Sequence, residues 1–316
     1  MAKKESSLAS ILNQYNAEKE ETFIPTGVLP IDEILGGGLT PGGMYCAWGP
    51  PGSFKSTVSM QIAKSYCKRG DKVVIIDVEK ALNQQQQETF GVREYVLNGT
   101  LIHVTVETYA QADELCLAIA SEKDSGIKLV IVDSETQLMP KMGEDVQVDS
   151  NQPGVKAKQS SVWITKMKAA FYNAGITSII LAHARANLNM TSPYGPSTKM
   201  AGNYATLHVP DAIIQFLPGQ KFGDKLAPEG VVCHISTDKN KFAPPFKRVD
   251  AKCYYGVGVK KSVYLVDWAL ENGVIEKNGS FFNVNGQSIR GTEALYNMSS
   301  ENLKWILNEY NERLKK

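Results

Sequence analysis

The stretch GPPGSFKST, Gly49 to Thr57, decides the fold of this chain. It matches the phosphate-binding loop pattern G-x-x-x-x-G-K-[ST] except at Phe54, which stands where glycine usually precedes the lysine. The run MYCAW (44–48) before it is short, apolar and typical of a strand, and apolar residues recur at helical spacing in TVSMQIAKSYCKRG (57–70) after it. Because strand, glycine-bearing turn and helix form the context that such a loop requires, we predict a phosphate-binding site here.

The loop carries each group that phosphate binding needs. Successive backbone N–H groups curl around the anion, the following helix points its N-terminus at it, Lys55 reaches the outer phosphates, and the Ser56 hydroxyl serves Mg²⁺. Phe54 adds a side chain but removes no N–H, so the cradle is expected to survive if φ stays negative there, and the ring can then pack outward. The alternative is a solvated turn with an incidental lysine. The predicted nucleotide-binding residues of the loop are Gly49, Pro50, Pro51, Gly52, Ser53, Phe54, Lys55, Ser56 and Thr57.

Composition bounds the class of protein. The 316 residues suffice for a main domain with an appendage, and 34 Lys and Arg against 33 Asp and Glu give a net charge of +1. This balance predicts no global attraction to nucleic acid or membranes. No apolar run approaches the length of a membrane span, so we expect a soluble cytoplasmic protein. The cysteines form no C-x-x-C pair and are predicted to be buried thiols of a reducing compartment: Cys46, Cys67, Cys116, Cys233 and Cys253.

Apolar runs of strand length alternate with helical stretches along the main part of the chain. These runs are 44–48, 72–78, 101–106, 128–134 and 177–184. Near-continuous apolar strands flanked by helices predict an α/β fold with a mostly parallel sheet covered by helices on both faces. The later runs 211–218, 230–237 and 249–258 are separated by turn residues and predict a more antiparallel extension.

The two ends of the chain differ from this pattern. Apolar residues at helical spacing predict a short amphipathic helix over 5–19, which covers either its own core or a neighbouring subunit. Beyond residue 258, helical patterns on either side of GSFFNVNG (279–286) predict a small α+β domain. The predicted division is an N-terminal helix and linker (1–25), a core (26–258) and a C-terminal domain (259–316).

Two long segments, 142–154 and 187–203, show no pattern of secondary structure. Long irregular stretches inside a compact domain are usually either functional or disordered. Each of these segments follows the end of an apolar strand, and ligands of parallel sheets bind beyond the carboxyl ends of the strands. We therefore expect both segments to open on the ligand side.

Polar residues stand at the ends of three apolar strands. Asp133 ends the run LVIVD, where a carboxylate helps to hold Mg²⁺, and a buried aspartate without such a role would be costly to desolvate. Asp77 and Glu79 follow another strand, where an acid can orient and deprotonate an attacking water; Glu79 could equally be an acid that favours a helix start. His183 ends SIILAH and, taken alone, could be a satisfied core histidine.

Several stretches occur in the order seen in RecA-type DNA strand-exchange recombinases, and the chain resembles this family from about residue 26 to its last residue. Besides the loop they are 25–43, IDVEKAL (76–82), LVIVDS (129–134), TDKNKFAPPFK (237–247), YYGVG (254–258) and LVDWALENGVIEKNGSFF (265–282). The last stretch is the most specific of these for the family, whereas phosphate loops are common in many families. Phe54 before the lysine and the histidine at position 183 look most like the UvsX recombinases of T-even bacteriophages.

The resemblance implies a DNA-dependent ATPase with ATP and Mg²⁺ as cofactors. It assigns the phosphates and Mg²⁺ to Lys55 and Ser56, with Asp133 as the second residue of the metal site. Glu79 matches the catalytic glutamate of the family. His183 matches a residue that senses the γ-phosphate and reports to the second DNA-binding loop.

Three further residues are assigned to the interface between subunits. Lys239 and Lys241 match lysines that reach ATP on the adjacent subunit, and Tyr255 matches an aromatic residue at that nucleotide interface. Two lysines at i and i+2 of a strand point to the same face, so they can converge on one anion. Without the resemblance, the same pair would read as charges on a solvent-facing strand edge.

The two irregular segments match the two DNA-binding loops of the family. Phosphate contacts are predicted for Lys156, Lys158, Arg185 and Lys199, and each could instead be a solvated surface charge. Leu188, Met190 or Tyr194 would wedge between bases or anchor the loop to the core, and Gly202 and Asn203 complete the predicted DNA set. The implied partners are single- and double-stranded DNA, further copies of this chain in a helical filament, and phage single-strand-binding and loader proteins, without a membrane.

Two rival functions stay open on the sequence. A RecA-fold hexameric motor or helicase would form closed rings, and the recombinase-like C-terminal stretch argues against it. A regulatory paralogue that pairs no DNA would not need Glu79 and two full loops. One departure from the family concerns the base: glutamines at 84–87 stand where bacterial relatives stack a tyrosine on adenine.

Overall fold

The chain folds around a ten-stranded mixed sheet and a small three-stranded sheet. The computed structural model describes residues 22–140, 153–186, 198–202 and 204–314. The helices in these residues are α1 (Leu29–Leu35), α2 (Lys55–Lys68), α3 (Gln84–Thr89), α4 (Arg93–Leu97), α5 (Tyr109–Ser121), α6 (Pro153–Ala174), α7 (Tyr204–His208), α8 (Lys261–Glu271), α9 (Thr292–Tyr296) and α10 (Ser300–Leu314). The strands are β1 (Met44–Gly49), β2 (Lys72–Asp77), β3 (Leu101–Val104), β4 (Ile127–Asp133), β5 (Thr177–Ala186), β6 (Thr198–Met200), β7 (Ala212–Gly223), β8 (Pro228–Asn240), β9 (Arg248–Tyr254), β10 (Gly258–Val259), β11 (Glu276–Asn278), β12 (Phe281–Val284) and β13 (Gln287–Arg290).

The strand order places a parallel core beside an antiparallel extension. The large sheet has the order β10-β9-β8-β7-β1-β5-β4-β2-β3, and β6 pairs with the end of β5. From β7 through β1, β5, β4 and β2 to β3, neighbouring strands are parallel. From β7 to β10 they are antiparallel. The predicted fold class, a mostly parallel α/β core with an antiparallel extension, is confirmed.

The register of the parallel strands brings the predicted site residues to one edge of the sheet. Gly49 at the end of β1 lies opposite His183 in β5, and Asp77 at the end of β2 lies opposite Asp133 at the end of β4. We call this the carboxyl edge, and the edge where β1 begins the amino edge. Ligands of open α/β sheets bind beyond the carboxyl ends of the strands. The candidate site is therefore built at the carboxyl edge.

Alternate residues of the central strands pack against helices on opposite faces of the sheet. On β2, Ile75 packs in the cluster that contains residues of α2, and Ile76 packs in the cluster that contains residues of α5 and α6. Ile131 and Val132 of β4 divide in the same way. Side chains alternate along a strand, so a strand with two covered faces is apolar throughout, and this produces the continuous apolar runs in the sequence.

The residues after 258 share the main hydrophobic core. Trp268 of α8 and Tyr310 of α10 are buried, and their rings meet edge to face with centroids 5.0 Å apart. The Tyr310 hydroxyl donates a hydrogen bond to the carbonyl of Leu29 at 2.9 Å, which ties the last helix to α1. The sheet β11-β12-β13 occupies the predicted β region around 279–286.

The structure changes two expectations about irregular segments. Residues 198–200 form β6 against β5, so the segment 187–203 is not irregular throughout. Helix α6 begins at Pro153, inside the segment 142–154. The predicted helix over 5–19, residues 142–152 and 187–197, and four predicted DNA contacts lie outside the described residues: Leu188, Met190, Tyr194 and Asn203.

Two expectations from composition can be compared with the structure. All five cysteines are buried and none forms a disulfide. In the four described ranges, no helix combines the length and the apolar character that a membrane span needs.

Candidate active site

The phosphate loop joins β1 to α2 at the carboxyl edge. A Cβ at Gly49 would lie 2.2 Å from the carbonyl oxygen of Phe216 on neighbouring β7, so this position has no room for a side chain. Gly52 has open space around it but a φ of +72°, a conformation that glycine adopts readily. The two glycines are thus required for different reasons, Gly49 by close approach and Gly52 by backbone conformation.

The expectation for Phe54 is wrong. Its φ is +67°, in the left-handed region, and its ring is buried instead of packed outward. The ring stacks on Tyr255 with centroids 5.6 Å apart and planes inclined by 23°. The left-handed conformation costs a residue with a Cβ about 1–2 kcal/mol. The loop therefore keeps the backbone shape that glycine usually gives it, and a tertiary contact offsets the strain.

The ammonium group of Lys55 lies in the cup of the loop. It donates hydrogen bonds to the carbonyls of Gly49 at 2.9 Å and Pro50 at 3.0 Å, and to the Ser53 hydroxyl at 3.2 Å. Burial lowers the pKa of Lys55, and the nearby carboxylates of Asp133 and Glu79 oppose this effect. A cation held by weak carbonyl partners beside a cradle of N–H groups is suited to exchange those partners for phosphate oxygens.

Ser56 and Asp133 form an oxygen pair beside the loop. They line a cleft of about 200 Å³ together with Glu79 and Asp77. Burial raises the pKa of Asp133 to about 6; Glu79 and Asp77 also raise it, whereas a hydrogen bond from Ser56 and the charge of Lys55 lower it. A cation at this point would relieve the excess of carboxylates.

A hydroxyl and a carboxylate fit the requirements of Mg²⁺. The ion prefers hard oxygen ligands, keeps several waters, and is usually bound by one or two side chains together with substrate phosphates. Within the described ranges, no group of three or more His, Cys, Asp or Glu side chains is arranged to hold a metal by itself. The residues present thus fit a metal that arrives with a nucleotide, held by Ser56 and, through its water shell, by Asp133.

Glu79 faces the site and contacts His183. The Oε1 atom of Glu79 lies 2.8 Å from Nε2 of His183, and the Ser134 hydroxyl lies 3.0 Å from the same nitrogen. The side chains of Glu79 and His183 are partly exposed, at 27% and 31%. Glu79 is thus a partly exposed acid at the carboxyl edge, and His183 is its contact there.

Asp77 has a structural role instead. It is buried and accepts hydrogen bonds from the backbone N–H groups of Ala81 at 3.2 Å and Leu82 at 2.9 Å. His103 lies 3.0 Å from its Oδ2 atom. These contacts hold the turn after β2 and so fix the direction in which Glu79 points.

Lys239 and Lys241 lie at the amino edge, far from the loop of their own chain. Asp211, immediately before β7, accepts hydrogen bonds from Met44 N–H at 2.9 Å, from Lys241 at 3.0 Å and from Lys168 of α6. Burial lowers the pKa of Lys239, and so does repulsion from Lys241, whereas Asp211 opposes both. Lys241 thus pairs with Asp211, whereas Lys239 donates a hydrogen bond to the carbonyl of His208 at 2.5 Å. Strand β1 runs from Met44, beside this cluster, to Gly49, and these five steps span roughly 17 Å at about 3.3 Å per step.

The described DNA-binding candidates divide into two groups. On β5 and β6, Arg185 lies directly opposite Lys199, and such a like-charged cross-strand pair is unfavourable unless an anion joins it. On α6, Lys156 donates to the carbonyl of Thr136 at 2.7 Å, whereas Lys158 lines a groove of about 540 Å³ between α5 and α6. The β5–β6 hairpin therefore presents paired cations, and α6 presents separate ones.

The β5–β6 hairpin also contacts the site directly. The N–H of Ala201 donates to the carbonyl of His183 at 2.7 Å, so the segment after β6 is bonded to the residue that contacts Glu79. A Cβ at Gly202 would meet Thr206 at 3.0 Å, which favours glycine where the chain turns into α7. Residues 198–202, the described part of the second irregular segment, are thus bonded to the candidate site through His183.

Two residues of functional interest, Ser134 and Asp211, are missing from the sequence prediction, and so is one contact of the predicted Tyr255. Ser134 could have been found, because it follows Asp133 at a strand end. Asp211 starts an apolar strand run and shows no local sign of its lysine partners. Tyr255 is predicted at the interface, but its stacking on Phe54 depends on residues that are distant in sequence.

The structure has the fold of a P-loop ATPase core. Its candidate nucleotide site combines the loop after β1, the carboxylates at the ends of β2 and β4 and the histidine on β5, at the carboxyl edge of a parallel sheet. The family model described as the RecA N-terminal domain matches residues 3–260. The chain belongs to the RecA family.

Similar proteins agree with this membership. The chain is 28% identical to Protein RecA of Mycobacteroides abscessus over 296 residues, which cover 93% of this chain and 83% of the relative. It is 30% identical to Protein RecA of Blastochloris viridis over 286 residues, 88% of this chain and 78% of the relative. The crystal structure of the RadB recombinase superimposes with a TM-score of 0.55 at 18% identity, covering 75% of this chain and 98% of that one, and this likeness supports the fold alone.

Proposed function

We propose that this chain is an ATP-dependent DNA strand-exchange recombinase of the UvsX kind, encoded by a bacteriophage, that polymerises on single-stranded DNA in the host cytoplasm. The observation that carries the proposal is the bonded path at the carboxyl edge. Glu79 contacts His183, and the backbone of His183 contacts Ala201 beside the paired cations of β5 and β6. The hairpin that carries the candidate DNA contacts is thereby bonded to the candidate nucleotide site.

The site residues have distinct tasks in this proposal. ATP supplies the phosphoryl group, and Mg²⁺ bound with it neutralises charge on the phosphates. The loop N–H groups and Lys55 would hold the phosphate oxygens, while Ser56 and Asp133 would hold the metal ion. Glu79 accepts a proton from the attacking water, and His183 competes for Glu79 through the 2.8 Å contact. A γ-phosphate that bound to either side chain would therefore break the contact between Glu79 and His183.

The positions of Lys239 and Lys241 support an assembly in which subunits meet head to tail. These lysines lie at the amino edge and cannot reach the loop of their own chain at the carboxyl edge. A neighbour that presents its amino edge to this loop would place two cations near the phosphates, where they would stabilise the charge of the transition state. Such a contact between two different surfaces repeats and gives an open helical filament unless its rotation closes a ring.

Electron microscopy distinguishes the three functions that the sequence leaves open. With single-stranded DNA and a non-hydrolysable ATP analogue, we expect open helical filaments. Closed rings would support the hexameric motor, and the absence of any assembly would support the regulatory paralogue.

Substitution of Glu79 tests the chemistry. Glu79→Gln should bind ATP and hydrolyse it at least about a hundredfold more slowly, the lower range for loss of a general base. Lys55→Ala should lose hydrolysis altogether. Glu107→Gln is a matched control, because Glu107 is an exposed acid paired with Lys80 at 2.6 Å and should leave turnover unchanged. Normal turnover in Glu79→Gln would remove Glu79 from the mechanism.

Mixed filaments test the role of the lysines in trans. Lys55→Ala and Lys239→Ala/Lys241→Ala should each be inactive alone. Mixed together, they form junctions in which an intact loop meets intact lysines, so some activity should return. If co-assembly is demonstrated and the mixture stays inactive, the lysines do not act across the interface.

A further inference from the structure

Phe54 combines a left-handed backbone with a buried aromatic ring, next to the lysine of the phosphate loop. Its φ is +67° and its carbonyl accepts the first hydrogen bond of α2, from Val58 N–H at 2.9 Å. Residues with a Cβ rarely adopt this conformation, and they do so where surrounding contacts hold them. The contact that holds Phe54 is its stacking on Tyr255.

Tyr255 belongs to a tight turn between β9 and β10 whose backbone is fixed. Its N–H donates to the carbonyl of Glu229 at 3.0 Å, and Val257 N–H donates to the carbonyl of Tyr254 at 3.2 Å. Its side chain nevertheless stays 49% exposed. One side of the ring is therefore covered by Phe54, and a large part of the remaining surface faces outward beside the phosphate loop.

The same turn is attached to α2 at a second point. The side-chain amide of Gln61 donates to the carbonyl of Val259 at 3.0 Å and accepts from Val259 N–H at 3.0 Å. A Cβ at Gly258 would lie 2.3 Å from Oε1 of Gln61, so this contact leaves no room for a side chain there. The β9–β10 turn is thus docked on the loop and helix at both ends, through Phe54 and through Gln61.

We propose that Phe54 is a positioning residue that couples the phosphate loop to Tyr255, so that a bound nucleoside triphosphate is held by both as one unit. The stack keeps residue 54 in the backbone conformation that the loop needs. It also fixes the Tyr255 ring, whose exposed surface can contact the sugar or base of the nucleotide. The inference rests on the proposed ATP site. With a glycine at position 54, the contact of the nucleotide with the loop and its contact with Tyr255 would be independent of each other.

A double-mutant cycle on nucleotide affinity tests this coupling. The dissociation constant of a fluorescent ATP analogue is measured by titration for the full chain and for Phe54→Gly, Tyr255→Ala and their combination. Glycine keeps the left-handed backbone without strain, so Phe54→Gly removes only the ring. Each single variant should bind about threefold to tenfold more weakly, the range that one aromatic pair supports. The double variant should bind no more weakly than Tyr255→Ala.

Two further variants separate positioning from general destabilisation. Phe54→Tyr preserves the ring and should restore affinity to within about twofold of the original chain. Phe222→Ala removes the edge-to-face partner of the adjacent Tyr254, whose centroid lies 4.9 Å away, and should leave affinity unchanged. Circular dichroism with thermal melting selects the folded variants, and Phe54→Leu, which keeps apolar volume without a ring, replaces Phe54→Gly if that variant unfolds.

The outcomes are distinct. If the original chain binds the analogue and Lys55→Ala does not, while Phe54→Gly binds like the original chain, the coupling is wrong and the proposed function stands. If the loss of affinity in the double variant equals the product of the losses in the two single variants, the two rings act independently, and the coupling is also wrong. If the original chain does not bind the analogue at all, the proposed function fails and this inference fails with it.

Discussion

Asp211 is the acid that Lys168 and Lys241 share at the amino edge, and Asp211→Asn measures how much this acid contributes to stability. Asparagine keeps one oxygen that can accept the N–H of Met44, now 2.9 Å from the carboxylate. It removes the charge that Lys168 and Lys241 share. It also turns an amide donor toward ammonium groups that are donors themselves.

The magnitude follows from the exposure of the two lysines. A hydrogen bond to a charged group contributes about 1.5–3 kcal/mol, and the side chain of Lys168, 21% exposed, falls in that range. Lys241 is 53% exposed, so its pair contributes about 0–1 kcal/mol after screening by solvent. We therefore expect Asp211→Asn to lower the free energy of unfolding by about 2–4 kcal/mol.

Urea denaturation followed by circular dichroism provides the assay, with Asp113→Asn as the matched control. Asp113 pairs with Lys166, two residues before Lys168 on α6, at 3.0 Å, and the two side chains are 27% and 52% exposed. This surface pair should contribute about 0–1 kcal/mol. The midpoint for Asp211→Asn should fall at an unchanged slope. If the loss does not exceed that of Asp113→Asn, Asp211 is not a buried counter-charge and the reasoning is refuted.

Three further measurements concern the core and the loop. Burial raises the pKa of Asp32 from 3.8 to about 6, so the folded chain binds an extra proton between these values and Asp32 costs stability as the pH rises through them. Compared with the original chain, Asp32→Asn should gain about 3 kcal/mol of unfolding free energy between pH 3 and 7, at about 1.36 kcal/mol per pKa unit; a pH-independent difference would contradict this. Gly49→Ala should weaken ATP binding at least about tenfold, because its Cβ would lie 2.2 Å from a backbone oxygen. Gly52→Ala should weaken it less, because there the new side chain meets only an unfavourable φ. Equal losses of affinity in a binding titration would argue against the steric account. Tyr310→Phe removes the hydroxyl that donates to Leu29 and should cost about 1–2 kcal/mol in urea denaturation; no loss would mean that water replaces this bond.

The parallel core was predictable because its signals are local and strong. The strands around Ile75 and Ile131 have two covered faces, so they appear in the sequence as uninterrupted apolar runs. Residues at their ends, such as Asp133 and His183, then had to meet at one edge, because parallel strands end on the same side. Once the strands are predicted to be parallel, the residues at their ends can therefore be predicted to lie together.

The remaining features depend on pairing across long stretches of sequence. A residue with a Cβ is expected at negative φ from its own sterics, and Phe54 departs from this because Tyr255, two hundred residues later, covers its ring. Strand β6 has three residues and no apolar pattern of its own; it exists because β5 continues past His183 and offers it an edge. Lys241 and Lys168 of α6 share Asp211, which stands just before β7, and no local pattern links these three positions.

Lys55 is separated from Lys239 and Lys241 within one chain, and under the proposed function this separation ties the number of active sites to the number of contacts between subunits. If each active site needs the loop of one subunit and the lysines of the next, a solitary chain has no complete site. Every filament, whatever its length, then ends in one subunit whose loop meets no lysines. Turnover per chain would be low for short filaments and would approach a plateau as they lengthen, so hydrolysis would report how long the polymer is. Breaking one filament into two would silence one site, and joining two filaments end to end would create one.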